Sequence, residues 1–245
     1  MSKSDSQTAA IIQARHSSTR LPGKVMMPLA GVPVLTHIVE RAKRIEGIDA
    51  VCVAVPDGPG QEPLVALAED LVRESDTVHL SFGPEEDLVR RYAIAVQQLA
   101  ADTVMQLWGD CPLIDPAVAG ALLAAYRRAG VSFATIPDDS GYPEGVEAHV
   151  MSAEAILTAD REATDPEERE AFHLFFSRRP ERFPSIHLNR KPNRHALKVL
   201  LDTEDDYQRL SQIFDALYPR NPVFGIGEIE ALAEERPELF KGNAP

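Results

Sequence analysis

Arg15, Arg20 and Lys24 fall in one short segment, IIQARHSSTRLPGK (11–24), interleaved with Ser17, Ser18, Thr19 and Gly23. Small residues let backbone N–H groups turn inward, and three cations around them make a cradle for a polyanion. No Asp or Glu occurs from Ser6 to Val39, although the chain carries a formal net charge of −13. A nucleoside triphosphate bears about four negative charges. An opposing carboxylate at close range in a partly desolvated loop costs on the order of several kcal/mol. Clearing carboxylates from this segment therefore suits a triphosphate; a solvated basic loop would read the same way. The segment is not a Walker A loop, because Ser18 and Val25 stand where that motif needs Gly and Ser or Thr.

Two acidic positions answer the cations. Asp110 in MQLWGDCPLIDP (105–116) and Asp202 in VLLDTEDD (199–206) each follow an apolar run. A carboxylate at such a place suits Mg²⁺, which takes one or two carboxylates plus phosphate oxygens and water. Two of them at two strand ends can share one metal, or each can be a turn or capping residue. Asp115 before Pro116 reads as a helix N-cap, and Asp205 and Asp206 as first-turn partners of a helix dipole. Glu144 and Glu147 flank Gly145 and either touch a substrate hydroxyl or face solvent. Trp108 is a packing residue or a platform for a base. His149, His173, His187 and His195 have no metal-site spacing.

These residues need elements to position them. Ala9–Gln13 reads as a buried strand, and Pro33 opens a helix with Val34, Leu35, Ile38, Val39 and Ala42 on one face. Strands follow at 50–55, 77–81 and 103–107, with helices at 62–72 and 85–99 between them. The second half continues with helix 116–129, strands near 131–135, 149–151, 185–188 and 197–201, and helices at 153–159, 166–178 and 204–217. Thr203 reads as the N-cap of the last helix. Alternation of this kind implies a mostly parallel sheet with helices on both faces. Open α/β sheets bind ligands beyond the carboxyl ends of their strands, where the loops after Gln13 and Leu107 lie.

The 245 residues suffice for one large α/β domain, and 44% apolar with 26% charged residues is ordinary for a globular chain. The acidic balance argues against a nucleic-acid or membrane partner, since both require clustered cations. Cys52 and Cys111 match no metal or disulfide spacing and read as buried free thiols. MSKSDSQT at the start shows no apolar leader, and a reducing cytoplasm is the default compartment.

With these segments in hand, a resemblance can be stated. IIQARHSSTRLPGKVMMPLAGVPVLTHIVERAKR (11–44) resembles the opening of the acylneuraminate and 3-deoxy-manno-octulosonate cytidylyltransferases, and most of all the SpsF-like spore coat polysaccharide biosynthesis proteins. GDCPLIDP (109–116), GYPEGVEAHVMSAEAI (141–156) and LDTEDDY (201–207) match later blocks in order, so the likeness spans about residues 8–217. It implies a Rossmann-like, glycosyltransferase-A-like α/β sheet in a single nucleotidyltransferase domain over 1–245, with a dimerisation or acceptor excursion at about 140–195. It also implies a homodimer. By motif position, Arg15, Arg20 and Lys24 hold the triphosphate, and Ala14, Ser18, Thr19, Trp108 and Gly109 complete the nucleotide site. Asp110 and Asp202 bind Mg²⁺, and Tyr142, Glu144 and Glu147 meet the acceptor. The implied reaction moves CMP from CTP to a small acidic sugar-like acceptor and releases pyrophosphate, in surface polysaccharide or glycoconjugate biosynthesis. Arg15, Lys24, Asp110 and Asp202 carry it. Another acceptor or nucleotide, such as a phosphonate or a sugar phosphate, and a non-catalytic nucleotide-binding subunit are the alternatives. The chain departs from its relatives at His16-Ser17, where they carry Met-Gly, and at Trp108, Glu147, His149 and Ala171, where they usually carry Thr, Asp, Glu and His.

Overall fold

The computed structural model describes residues 6–240. The first five and the last five residues of the proposed 1–245 domain lie outside the described residues. Strand β1 (Thr8–Gln13) leads through a loop to a short antiparallel pair, β2 (Pro28–Leu29) and β3 (Val32–Pro33), and then to helix α1 (Val34–Ala42). Next come β4 (Ala50–Pro56), α2 (Glu62–Glu74), β5 (Val78–Gly83), α3 (Leu88–Leu99), β6 (Thr103–Trp108) and α4 (Pro116–Ala129). The second half supplies β7 (Phe133–Thr135), β8 (His149–Ser152), α5 (Ala153–Glu162), α6 (Pro166–Glu170), α7 (His173–Ser177), β9 (Ser185–His187), α8 (Glu204–Leu217) and α9 (Ile226–Glu235).

Seven strands form one sheet in the order β5-β4-β1-β6-β8-β7-β9. β5, β4, β1 and β6 are parallel, and β8 runs antiparallel between β6 and β7. This is the mostly parallel sheet with two covered faces that the alternation predicts. In β1, Ala10 and Ile12 point to one face and Ala9 and Ile11 to the other, and all four are fully buried. A strand buried on both faces has to be continuously apolar, which is how AAII arises. One face is covered by α1, α2, α4, α8 and α9, and the other by α3, α5 and α7. Phe172, Phe175 and Phe176 anchor the second layer, each fully buried. Burying a side chain of that size contributes about 1.5–3 kcal/mol.

The chain order defines where a ligand can sit. From β1 the path steps outward to β4 and β5, then returns to β6 on the opposite side of β1. The two crossovers leave in opposite directions, so a crevice opens at the carboxyl ends of β1 and β6.

Three local expectations change. Residues 197–201 are not a strand of the sheet, because their backbone goes to loops: Val199 N–H donates to Glu144 O at 2.7 Å and Leu201 N–H to Asp110 O at 2.8 Å. The helix expected over 166–178 is split, with Ala171 in a non-helical conformation and Phe172 packed on Tyr92 at 4.7 Å between ring centroids. The helix expected from Glu85 starts at Leu88, because the Asp87 carboxylate accepts the Arg90 N–H and ends the preceding turn. Helix α9 and the short β2–β3 pair were not anticipated. Both cysteines are buried and free.

Candidate active site

The segment after β1 is a closed loop. His16 O accepts the N–H groups of Ser18 at 2.9 Å and Gly23 at 3.0 Å, so the chain from 16 to 23 folds back on itself. Gln61, which precedes α2 and is 2% exposed, accepts the His16 N–H at 2.8 Å and pins the loop from below. Arg15 and Arg20 remain more than half exposed at their side chains, at 52% and 71%, and so are free to meet a ligand.

Lys24 is the opposite case, with a side chain only 11% exposed. Its ammonium donates to Asp110 Oδ2 at 2.8 Å, to Leu201 O at 2.9 Å and to Asp202 Oδ1 at 3.4 Å. Arg20 pairs with the other oxygen of Asp202. The two far-separated aspartates therefore meet at one cation. Each is delivered by its local structure. Gly109 packs so tightly against β1 that a Cβ there would lie 2.8 Å from Gln13 O, and its own N–H donates to that same oxygen at 2.8 Å. Only glycine fits, and the chain turns at once to present Asp110. Asp202 is set by the capping box of α8. Thr203 Oγ1 accepts the Asp206 N–H, while Asp206 Oδ2 accepts the N–H groups of Asp202 at 3.0 Å and Thr203 at 2.9 Å. Burial pushes the Asp206 carboxyl up, but hydrogen bonds from Lys198 and Arg209 outweigh it and hold it below its ordinary value.

Two cavities of about 630 Å³ each meet here. The first is lined by Ala14, Arg15, Ser18, Thr19, Arg20 and Lys24, with Gly109 and both aspartates opposite. The second is lined by Glu144, Glu147 and four histidines, and it shares Trp108 and Asp110 with the first. Tyr142 lines neither; its ring lies under the Arg190 guanidinium, 5.4 Å from centroid to Cζ. Gly145 adopts φ +104°, and a Cβ there would come within 2.6 Å of Leu200 N, so the Glu144–Glu147 turn presses directly on the 199–201 segment.

Asp110 and Asp202 bring hard carboxylate oxygens, the donor type that Mg²⁺ takes, to one point, which the Lys24 ammonium occupies here; the described residues hold no group of three or more His, Cys, Asp or Glu shaped for a metal. An ion held by two carboxylates would take its remaining ligands from phosphate oxygens and water, the usual pattern for Mg²⁺.

The profile described as Cytidylyltransferase matches residues 9–215 of the chain. The protein belongs to the cytidylyltransferase family. Among curated cytidylyltransferases, the 3-deoxy-manno-octulosonate cytidylyltransferase of Anaeromyxobacter sp. (strain K) is 39% identical over 130 residues, covering 52% of this chain. The chain spans about half the length of that relative, 50%. The spore coat polysaccharide biosynthesis protein SpsF of Bacillus subtilis (strain 168) is 24% identical over 236 residues, covering 93% of this chain and 94% of its own. Among solved structures, a cytidylyltransferase from Leptospira borgpetersenii serovar Hardjo-bovis (strain JB197) superposes with a TM-score of 0.88 at 22% identity, over 98% of this chain and 99% of that one. The α/β fold expected from the sequence is thus the fold of the family. No helix among the described residues is long and apolar enough to cross a membrane.

Four residues that line or brace this cleft were not read from the sequence. Glu85, just before α3, receives a hydrogen bond from Ser17 Oγ and lies 4.0 Å from Arg15. Glu86 and Glu170 also line the first cavity. The segment 6–39 is free of acids, but the folded cleft is not, because α3 and α6 bring carboxylates from elsewhere. Gln61 is the fourth and fixes the loop, while Asp206, read only as a first-turn dipole partner, also holds the backbone of Asp202 through the cap. Only the Thr203-x-x-Asp206 spacing carried a readable signal.

His149 sits at the floor of the second cavity, 8% exposed, with its Nδ1 sharing a hydrogen with Thr135 Oγ1 at 2.8 Å. Burial first, and the nearby His173 ring second, push its pKa down to about 3 from 6.5. The folded form therefore stays neutral where the unfolded chain takes a proton. Stability is unaffected above pH 6.5 and falls as pH drops below it, until the folded form also protonates near pH 3. From pH 6.5 to 5 this costs about 2 kcal/mol at 1.4 kcal/mol per pH unit. In urea unfolding, His149→Gln should flatten the acid limb by that amount. Parallel limbs in the two proteins would count against a buried neutral imidazole.

Proposed function

We propose that the protein transfers CMP from CTP to a hydroxyl of a small sugar-like acceptor and releases pyrophosphate, in the making of a surface polysaccharide or glycoconjugate. The observation that carries this is the junction at Lys24: a cationic loop and two aspartates meet at the carboxyl ends of β1 and β6, where two cavities share Asp110 and Trp108. The first cavity has the cations for a triphosphate, and the second has room for an acceptor beside the α-phosphate.

In this reading Arg15 and Lys24 bind the β- and γ-phosphates and stabilise the leaving pyrophosphate, while Arg20 orients the loop. Asp110 and Asp202 would hold a Mg²⁺ ion, which would supply charge neutralisation to the phosphates. The acceptor oxygen approaches phosphorus in line, its new P–O bond forming as the bond to the α–β bridging oxygen breaks. Pyrophosphate keeps that electron pair, and the acceptor proton leaves to solvent. Positioning and charge carry such reactions, since the protein has little covalent work to do. Trp108 stands where a pyrimidine ring or an acceptor can stack.

The test uses the four nucleoside triphosphates with Mg²⁺. CTP should raise the melting temperature more than ATP, GTP or UTP, and pyrophosphate should appear with CTP when a panel of polyols, sugars and sugar acids is added. Equal stabilisation by all four nucleotides would sink the assignment to cytidylyl transfer.

A further inference from the structure

The resemblance implies an acidic acceptor, yet the second cavity has the wrong charge for one. Its ionisable lining consists of Asp110, Cys111, Asp138, Glu144, Glu147 and four histidines, with no Lys or Arg, and Asp110 is already paired with Lys24. Asp138, Glu144 and Glu147 make no ion pair with any described residue. Glu147 places both oxygens on one backbone N–H, that of Gly145, at 2.9 Å each. Burial pushes its carboxyl up from its ordinary value, and the charges of Asp138 and Glu144 push the same way against two backbone hydrogen bonds.

Two of the four imidazoles do not compensate. His149 is held neutral, and burial also lowers the pKa of His173. Three cations on the segments around this lining are already paired. Arg178 pairs with Asp165 at 3.0 Å and with Glu167, Arg190 with Glu230 at 2.7 Å, and Lys198 with Asp206 at 3.1 Å. A part-buried carboxylate without a counter-ion, as at Glu147, is unfavourable by itself. It becomes favourable when a ligand brings hydrogen-bond donors or positive charge, and more unfavourable when a ligand brings a carboxylate.

We propose that the acceptor presents hydroxyl and amino groups, and no carboxylate, to this second cavity: an amine-bearing polyol rather than a sugar acid. The proposal rests on reading the first cavity as the CTP site and the second as the acceptor site. Glu144 and Glu147 then act as specificity determinants that reject acids, with Asp138 extending the same field at the rim.

Sorbitol, gluconate and glucamine test this, because they differ only at one terminal carbon, which carries a hydroxymethyl, a carboxylate or an aminomethyl group. Trp108 is the chain's single tryptophan and lines the cavity, so its fluorescence reports occupancy. Each polyol is titrated into the full chain held saturated with CTP and Mg²⁺. Glucamine should bind at least tenfold more tightly than gluconate, with sorbitol between them. In Glu144→Gln/Glu147→Gln the gap should shrink to under threefold. Asp138→Asn, a change at an exposed position, should narrow it in part and stands in if the double variant does not fold. Gluconate binding as tightly as glucamine overturns the proposal. So does an identical response, or none, to all three polyols, and so does a gap unchanged in the variants. CTP binding is titrated first in the same samples. Failure at that stage removes the cytidylyltransferase reading itself, whereas normal CTP binding with a preference for gluconate removes only this proposal.

Discussion

Asp110→Asn should lower kcat by on the order of 10³-fold while the melting temperature stays within a few degrees of the wild type. The substitution keeps the shape of the side chain and one oxygen that can still accept from Lys24. The link that holds the neighbouring segment is untouched, because Leu201 N–H bonds to the backbone oxygen of Asp110 rather than to its side chain. What disappears is one of two negative charges at the junction of the cavities. Losing the several kcal/mol that a metal–carboxylate contact directs at developing charge corresponds to that drop in rate. Pyrophosphate release and thermal melting of the same preparation check both halves. Near-normal turnover in a well-folded Asp110→Asn protein would end the assignment of Asp110 to the metal.

Lys24→Met should be damaging in a different way, costing stability as well as turnover. Without the ammonium, Asp110 and Asp202 face each other across a site where Asp202 is only 11% exposed, and Leu201 O loses its donor. Removing one partner of a buried ion pair costs about 3–5 kcal/mol. Arg20 still pairs with Asp202 and Asp110 is partly solvated, so about 2–3 kcal/mol is the sounder figure here. The variant also carries a signature that a merely structural lysine would not leave. Mg²⁺ should raise its melting temperature more than that of the wild type, because a divalent ion can take up the charge that the ammonium balanced. Urea unfolding with and without Mg²⁺ measures both. Unchanged stability with no added response to Mg²⁺ would show that the three contacts of Lys24 do not organise the site.

The sequence made the framework readable where one physical demand dominates. AAII and AVCVAV must be buried strands because no other place accepts such runs, and the helical spacing of 34–42 and 88–99 has one apolar stripe each. Asp110 was legible because an apolar strand runs straight into Gly-Asp. Residues 197–201 were not, since ALKVL has strand composition and nothing local says that its partners are the carbonyl groups of Glu144 and Asp110. Glu85 was invisible for the same reason: it faces Arg15 only once α3 has docked beside β1. Tyr142 sits in the expected block, where its ring packs against the Arg190 guanidinium and lines neither cavity.

Lys24 ties together positions 86, 177 and 178 residues further along the chain. Contacts of such long sequence separation form late, after the chain entropy of closing the intervening segments has been overcome by other packing. On a ribosome, β1 and β6 are complete long before the stretch that carries Asp202 emerges. The growing polypeptide can thus build most of its sheet with the lysine still unanchored, and competence for nucleotide chemistry is acquired as a final act of maturation.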